Sequence, residues 1–329
     1  MLPATTDLIA HLQTAERNAT IITSLVRAIV RCGGAEDARA LGEVFKRQPS
    51  DFYHSLLLPV LGRHGDRELA AEIYRACTPG HHEVSPPEVL ELLGQLRYEP
   101  ARPLLARYAF DPSDYYLSKY AVLGLLHFDL DDLAGVIKPA IEATYGQNLF
   151  AEFVPALVSK LRHREGMLEK LYESGTKVCS TDCNAGILLG FALCGDEGLP
   201  WFTKALFNPA WEAFNTGTGT AFWAYRGLAP LGLRIGELFG EVARLRDEEE
   251  ATYGAKVLLS LLEMKLRDHL GDHPEPFAAV YGSLFGPPAG GRTLTELAER
   301  AGLGDEAERL EELLEYKVYE EAVLGSCGG

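Results

Sequence analysis

A short phrase recurs along this chain: an apolar helix ends, Gly-Asp makes a tight turn, and a second amphipathic helix begins. The fullest copy is residues 190–206, GFALCGDEGLPWFTKAL, and shorter copies stand at Leu61–Ala70, His269–Asp272 and Leu303–Ala307. The turn glycines Gly65, Gly195, Gly271 and Gly304 are 130, 76 and 33 residues apart, close to four, two and one unit of about 32 to 38 residues. Degraded copies fall where that spacing puts them, at Cys32-Gly33-Gly34, Leu96–Glu99, Phe128-Asp129, Arg164-Glu165 and Leu231-Gly232-Leu233. About nine helix pairs then account for residues 1–329, with a polar capping helix near 305–322. A chain built this way grows its core by repetition, because one pair cannot bury its own apolar face and must stack on the next.

The residues at the turn explain the helix ends. Gly supplies the left-handed conformation that stops one helix, and Asp accepts free N–H groups at the start of the next. Pro200 sits where a second helix starts, a position that tolerates loss of a donor. The apolar residues Leu117, Tyr120, Ala121, Leu123, Gly124 and Leu125 recur at helical spacing, and Ala121 and Gly124 are small enough for a neighbouring helix to come close. The expected fold is all-α, a right-handed α–α superhelix, as one solenoid. The phrase resembles the short HEAT-like repeats also found in phycobilin lyase subunits. That resemblance implies that the second helix of each pair lines a concave face, with lining helices starting near Asp51, Glu88, Asp114, Leu149, Asp182, Gly219 and Ala251.

Composition narrows the partners. The net charge is −16, from 31 basic and 47 acidic residues, which disfavours a nucleic-acid phosphate backbone or an anionic membrane. The N-terminal stretch lacks the basic and apolar regions of a signal peptide, and no apolar run approaches the length of a membrane span, so a cytoplasmic protein is expected. Six cysteines spread over 329 residues point to reduced thiols.

Candidate binding residues fall in three places. On the helix opened by Asp114, Tyr115, Tyr116 and Lys119 put amphipathic side chains on two turns, and positions 116, 119 and 120 share a stripe. In 211–226, Trp211 and Trp223 flank a Gly/Thr loop that opens a helix carrying Trp223, Tyr225 and Arg226; without a Lys after the glycines it is not a P-loop. Asp182 and Asn184 begin a further expected lining helix, and Asp182 there also reads as a cap. The plainer reading of these residues is structural: core aromatics, polar rims and a helix cap. The Cys179/Cys183 pair and His81-His82-Glu83 lack a second set with metal-ligand spacing, so neither a metal nor a cofactor is expected. The acidic run 247–250 reads as a solvated face.

The preferred function is a scaffold binding a protein or peptide through the concave face. The alternative is an enzyme or enzyme subunit holding a small molecule or a modified peptide in that groove, and a third reading is a structural subunit of a larger assembly.

Overall fold

The computed structural model describes residues 1–14, 19–47, 53–79, 83–111, 113–147, 153–177, 182–211, 220–242 and 248–267, and every regular element among them is helical. They form two compact units, Met1–Leu133 and Ala134 onward. The first unit holds α1 (Pro3–Leu12), α2 (Ala19–Cys32), α3 (Ala35–Arg47), α4 (Tyr53–His64), α5 (Arg67–Cys77), α6 (Val89–Gln95), α7 (Arg102–Ala109) and α8 (Tyr115–Leu125). The second holds α9 (Ala134–Ala143), α10 (Met167–Gly175), α11 (Asp182–Leu193), α12 (Leu199–Leu206), α13 (Thr220–Leu231), α14 (Ile235–Val242) and α15 (Glu248–Arg267), with a 3-10 segment at Val154–Lys160. Gly271, Gly304, the 305–322 cap and the starts expected near Asp51, Leu149 and Gly219 lie outside the described residues.

In the first unit α1–α2, α3–α4, α5–α6 and α7–α8 pack as consecutive pairs. A ladder of second helices, α2 on α4, α4 on α6 and α6 on α8, runs beside a ladder of first helices, α1 on α3 and α3 on α5. The second unit repeats the scheme, with the 3-10 segment on α11, α11 on α13 and α13 on α15. Cross-pair ion pairs join residues 26 to 33 positions apart, as in Arg39–Asp66, Lys46–Glu72, Arg102–Asp132 and Arg164–Glu197.

Burial follows sequence pattern. In α3 the buried Ala38, Leu41, Gly42 and Phe45 form an i, i+3, i+4, i+7 stripe, while Arg39, Glu43, Lys46 and Arg47 take the other side. By contrast α6 is buried along 89–94 and α11 along 184–192, which suits helices apolar all round and flanked by neighbours in both ladders. Where α6 crosses α8 the backbones nearly touch: a Cβ on Gly94 would lie 2.2 Å from the Gly124 carbonyl oxygen.

The turn phrase translates into helix ends. Asp66 caps α5 by accepting the Leu69 N–H at 2.8 Å, and Asp114 caps α8 by accepting from Tyr116 and Leu117 at 3.0 Å. Gly195 and Gly232 adopt positive φ after α11 and α13. Gly65 departs from this expectation. It stands between α4 and α5 without positive φ, and it is Gly because a Cβ would fall 2.4 Å from the Leu61 carbonyl oxygen.

One turn uses the wrong residue for its geometry. After α13, Gly232 N–H bonds to Ala229 O and Leu233 N–H to Leu228 O, the Schellman pattern. After α6, Arg97 N–H bonds to Gly94 O and Tyr98 N–H to Leu93 O in the same pattern, with exposed Arg97 at φ 48°. A left-handed non-glycine residue costs about 1–2 kcal/mol, and glycine's larger unfolded-state entropy offsets about 0.4–1 kcal/mol of its relief. Arg97→Gly should therefore raise stability by about 0.5–1 kcal/mol, read as a higher urea midpoint at unchanged slope; an unchanged or lower midpoint would contradict the strained turn.

Candidate functional site

Among the described residues of the first unit, the exposed large aromatic side chains are paired at the start of α8. Capping by Asp114 fixes the first turn, and Tyr115 and Tyr116 stand 45% and 61% exposed. Farther along the same stripe Lys119 and Tyr120 are half-buried, with Lys119 Nζ 5.3 Å from the centre of the Tyr120 ring.

Beneath that stripe lies a polar cluster shared by three helices of the second-helix ladder. Ser55 of α4 donates to Glu88 Oε1 at 3.0 Å, and Tyr120 OH donates to the same oxygen at 3.3 Å. The two hydroxyls are 3.4 Å apart. Glu88, immediately before α6, is 7% exposed, and its second oxygen, Oε2, is buried without a hydrogen-bond partner among the described residues. One turn on, Glu91 is 5% exposed and accepts from Gln95 at 3.0 Å. Burial, followed by the nearby Glu88 and Glu91 carboxylates and against the lowering effect of the Ser55 hydroxyl, pushes the Tyr120 phenol up to about 12. Tyr120 is therefore a donor and not a base at neutral pH.

Sequence reasoning singled out the α8 stripe but missed Ser55 and Glu88. Its available signal was the run Val89-Leu90-Glu91-Leu92-Leu93 preceded by Glu88: two carboxylates in a helix otherwise apolar all round must be buried or break the pattern.

The other expected residues belong to the second unit. Asp182 begins α11 and Trp223 lies within α13, but their side chains, like the whole Gly/Thr loop 212–219, lie outside the described residues. Asn184 is 1% exposed and donates to the Trp211 carbonyl at 2.9 Å, tying α11 to the segment that carries Trp211. Trp211 is fully buried, stacked on Tyr172 at 5.6 Å and packed beside Phe191, with its ring filling the space a Cβ on Gly175 would need. Trp211 and Asn184 are thus core residues. On α13 Tyr225 is 4% exposed and the next residue, Arg226, is exposed. The residues of the α8 stripe and those of α11 and α13 are each placed only within their own unit.

Nucleophile and metal chemistry find little support in the described residues. Cys77 and Cys194 are buried thiols pushed up to about 11, chiefly by burial, so they hold their protons at neutral pH. No three His, Cys, Asp or Glu side chains among the described residues stand close enough to hold a metal ion. Cys179, His81 and His82 lie outside them, as does the side chain of Cys183 in α11. Among the described residues no helix is long and apolar enough to cross a membrane. Compared with protein-family models, with curated proteins and with solved structures, the chain finds no match.

Proposed function

We propose that this chain is a HEAT-like helical-repeat module, its helix pairs winding as a right-handed superhelix, and that it binds a protein or peptide partner in the cytoplasm. The observation that supports it best is the exposure of Tyr115 and Tyr116, 45% and 61%, on a helix of the second-helix ladder. Tyrosines offer large contact area at low entropic cost and are over-represented among residues whose truncation weakens interfaces. The ladder supplies the extended face that stacked helix pairs use for recognition.

A photo-crosslinking side chain in place of exposed Ser113, beside the tyrosines, should trap one discrete partner in the source cell. The purified partner should then bind the Tyr115→Ala/Tyr116→Ala double variant at least tenfold more weakly, in line with a truncation cost of about 2 kcal/mol, while the melting temperature stays unchanged. No discrete adduct, or unchanged affinity of the double variant, would overturn the reading.

A further inference from the structure

The Glu88 carboxylate is built into the fold in a way that packing alone does not explain. It is more than nine-tenths buried, makes no ion pair among the described residues, and has both of its hydrogen bonds on one oxygen. A carboxylate can accept about four hydrogen bonds, and a buried acceptor left empty costs free energy that a stability-driven sequence would remove with Gln or Leu. Charge density at this place suits a donor that none of the described residues supplies.

We infer that Glu88, with Ser55 and Tyr120, forms a subsite that receives a cationic side chain, Arg or Lys, of the protein partner. This rests on the interaction reading above and names the chemistry of the partner: a basic segment. Three observations converge on it. The hydroxyls of half-buried Ser55 and Tyr120 hold Oε1 at 3.0 and 3.3 Å, so the group is oriented. The terminal torsion of a glutamate is soft, and a rotation that keeps one hydroxyl on the carboxylate brings Oε2 towards an incoming N–H donor. On the same stripe of α8 the tyrosines supply ring faces for a cation, a use already visible in Lys119 over Tyr120 at 5.3 Å. Lys119 opposes a second cation at close range. It is half-buried on the stripe, and the net charge of −16 gives the chain an overall field that attracts basic partners.

The test is a fluorescence-anisotropy titration of the full chain with a fluorescein-labelled hexa-arginine peptide, a hexa-glutamate peptide serving as the reverse-charge control. Glu88→Gln keeps the shape of the side chain and removes its charge, and Glu173→Gln removes the same charge from an exposed position in the second unit. Glu88→Gln should weaken hexa-arginine binding at least tenfold and Glu173→Gln less than twofold. Equal losses for the two variants would mean attraction by net charge alone and overturn the subsite, as would an undiminished Glu88→Gln. If circular dichroism shows Glu88→Gln unfolded, exposed Tyr116→Ala decides instead: a threefold or greater loss of hexa-arginine affinity supports the subsite, and none overturns it. The native partner found by crosslinking separates the two readings. Should its affinity fall with the Tyr115→Ala/Tyr116→Ala variant but not with Glu88→Gln, the interaction face stands and the cation subsite falls.

Discussion

Replacing Gly94 with alanine should destabilise the first unit by about 3 kcal/mol or more and lower its melting temperature by roughly 10 °C. The added Cβ would sit 2.2 Å from Gly124 O and 2.3 Å from Gly124 Cα. Both are backbone atoms of α8, so no side chain can rotate away, and relief requires the two helices to separate along their whole contact. The reciprocal substitution meets the same wall, since a Cβ on Gly124 would lie 2.4 Å from Leu90 O. Gly135 in α9 is the internal control. No atom lies within 4 Å of its Cβ position, and Gly135→Ala should be neutral or stabilising by up to about 1 kcal/mol, the ordinary helix preference for alanine. Urea denaturation of both variants checks this, and a Gly94→Ala protein as stable as the parent would exclude so close a crossing. Because α6 also carries Glu88 at its start, separation of α6 from α8 should pull Tyr120 away from the carboxylate and weaken any binding that uses both.

This crossing shows what the sequence discloses and what it hides. Gly124 is legible as a place for close approach because it lies on an apolar helical stripe beside Ala121. Its counterpart Gly94 is not, since α6 carries apolar residues on every side besides Glu91 and Gln95, and pattern does not tell which face meets a neighbour. Local chemistry reads well for the same reason that it is local: Asp66 and Asp114 act on N–H groups two and three residues on, and the caps are where the spacing puts them. Conformation at the turns is less legible. Gly65 fits by its lack of a side chain and not by positive φ, while Arg97 occupies a left-handed position that no preference of arginine would reveal. Among the candidate binding residues, Tyr115, Tyr116 and Arg226 are exposed, but Asn184 and Tyr225 are buried. A helix period gives which residues share a face; which face meets solvent depends on neighbours that the sequence does not name. Ser55 and Glu88 stand 33 residues apart, one repeat, and their meeting is a property of stacking.

Removing the carboxylate of Asp37 should cost about 3 kcal/mol, and the loss should have a defined dependence on pH. Asp37 is 4% exposed and anchors the start of α1 to α3, accepting the Leu2 N–H and the Thr5 hydroxyl at 2.7 Å on one oxygen and the Gly34 N–H at 3.0 Å on the other. Hydrogen bonds to a charged group contribute about 1.5–3 kcal/mol each, and three sharing one acceptor do not add in full. Burial alone would raise the carboxyl's affinity for protons, but the bonds from Thr5, Leu2 and Gly34 together outweigh it and hold Asp37 below its ordinary value of 3.8. A carboxyl depressed by folding stabilises fully above its unfolded value, and that contribution fades as pH falls through the folded value. The stability difference between the parent and Asp37→Ala should therefore be constant from neutral pH down to about 4 and shrink below it. Asp37→Asn keeps the size but turns one acceptor into a donor facing a donor, so it should lose nearly as much at neutral pH and show the same convergence in acid. Urea midpoints measured across that range decide the matter. A difference that persists undiminished well below pH 3 would mean that Asp37 acts through its shape, and the three hydrogen bonds would no longer account for how α1 is held.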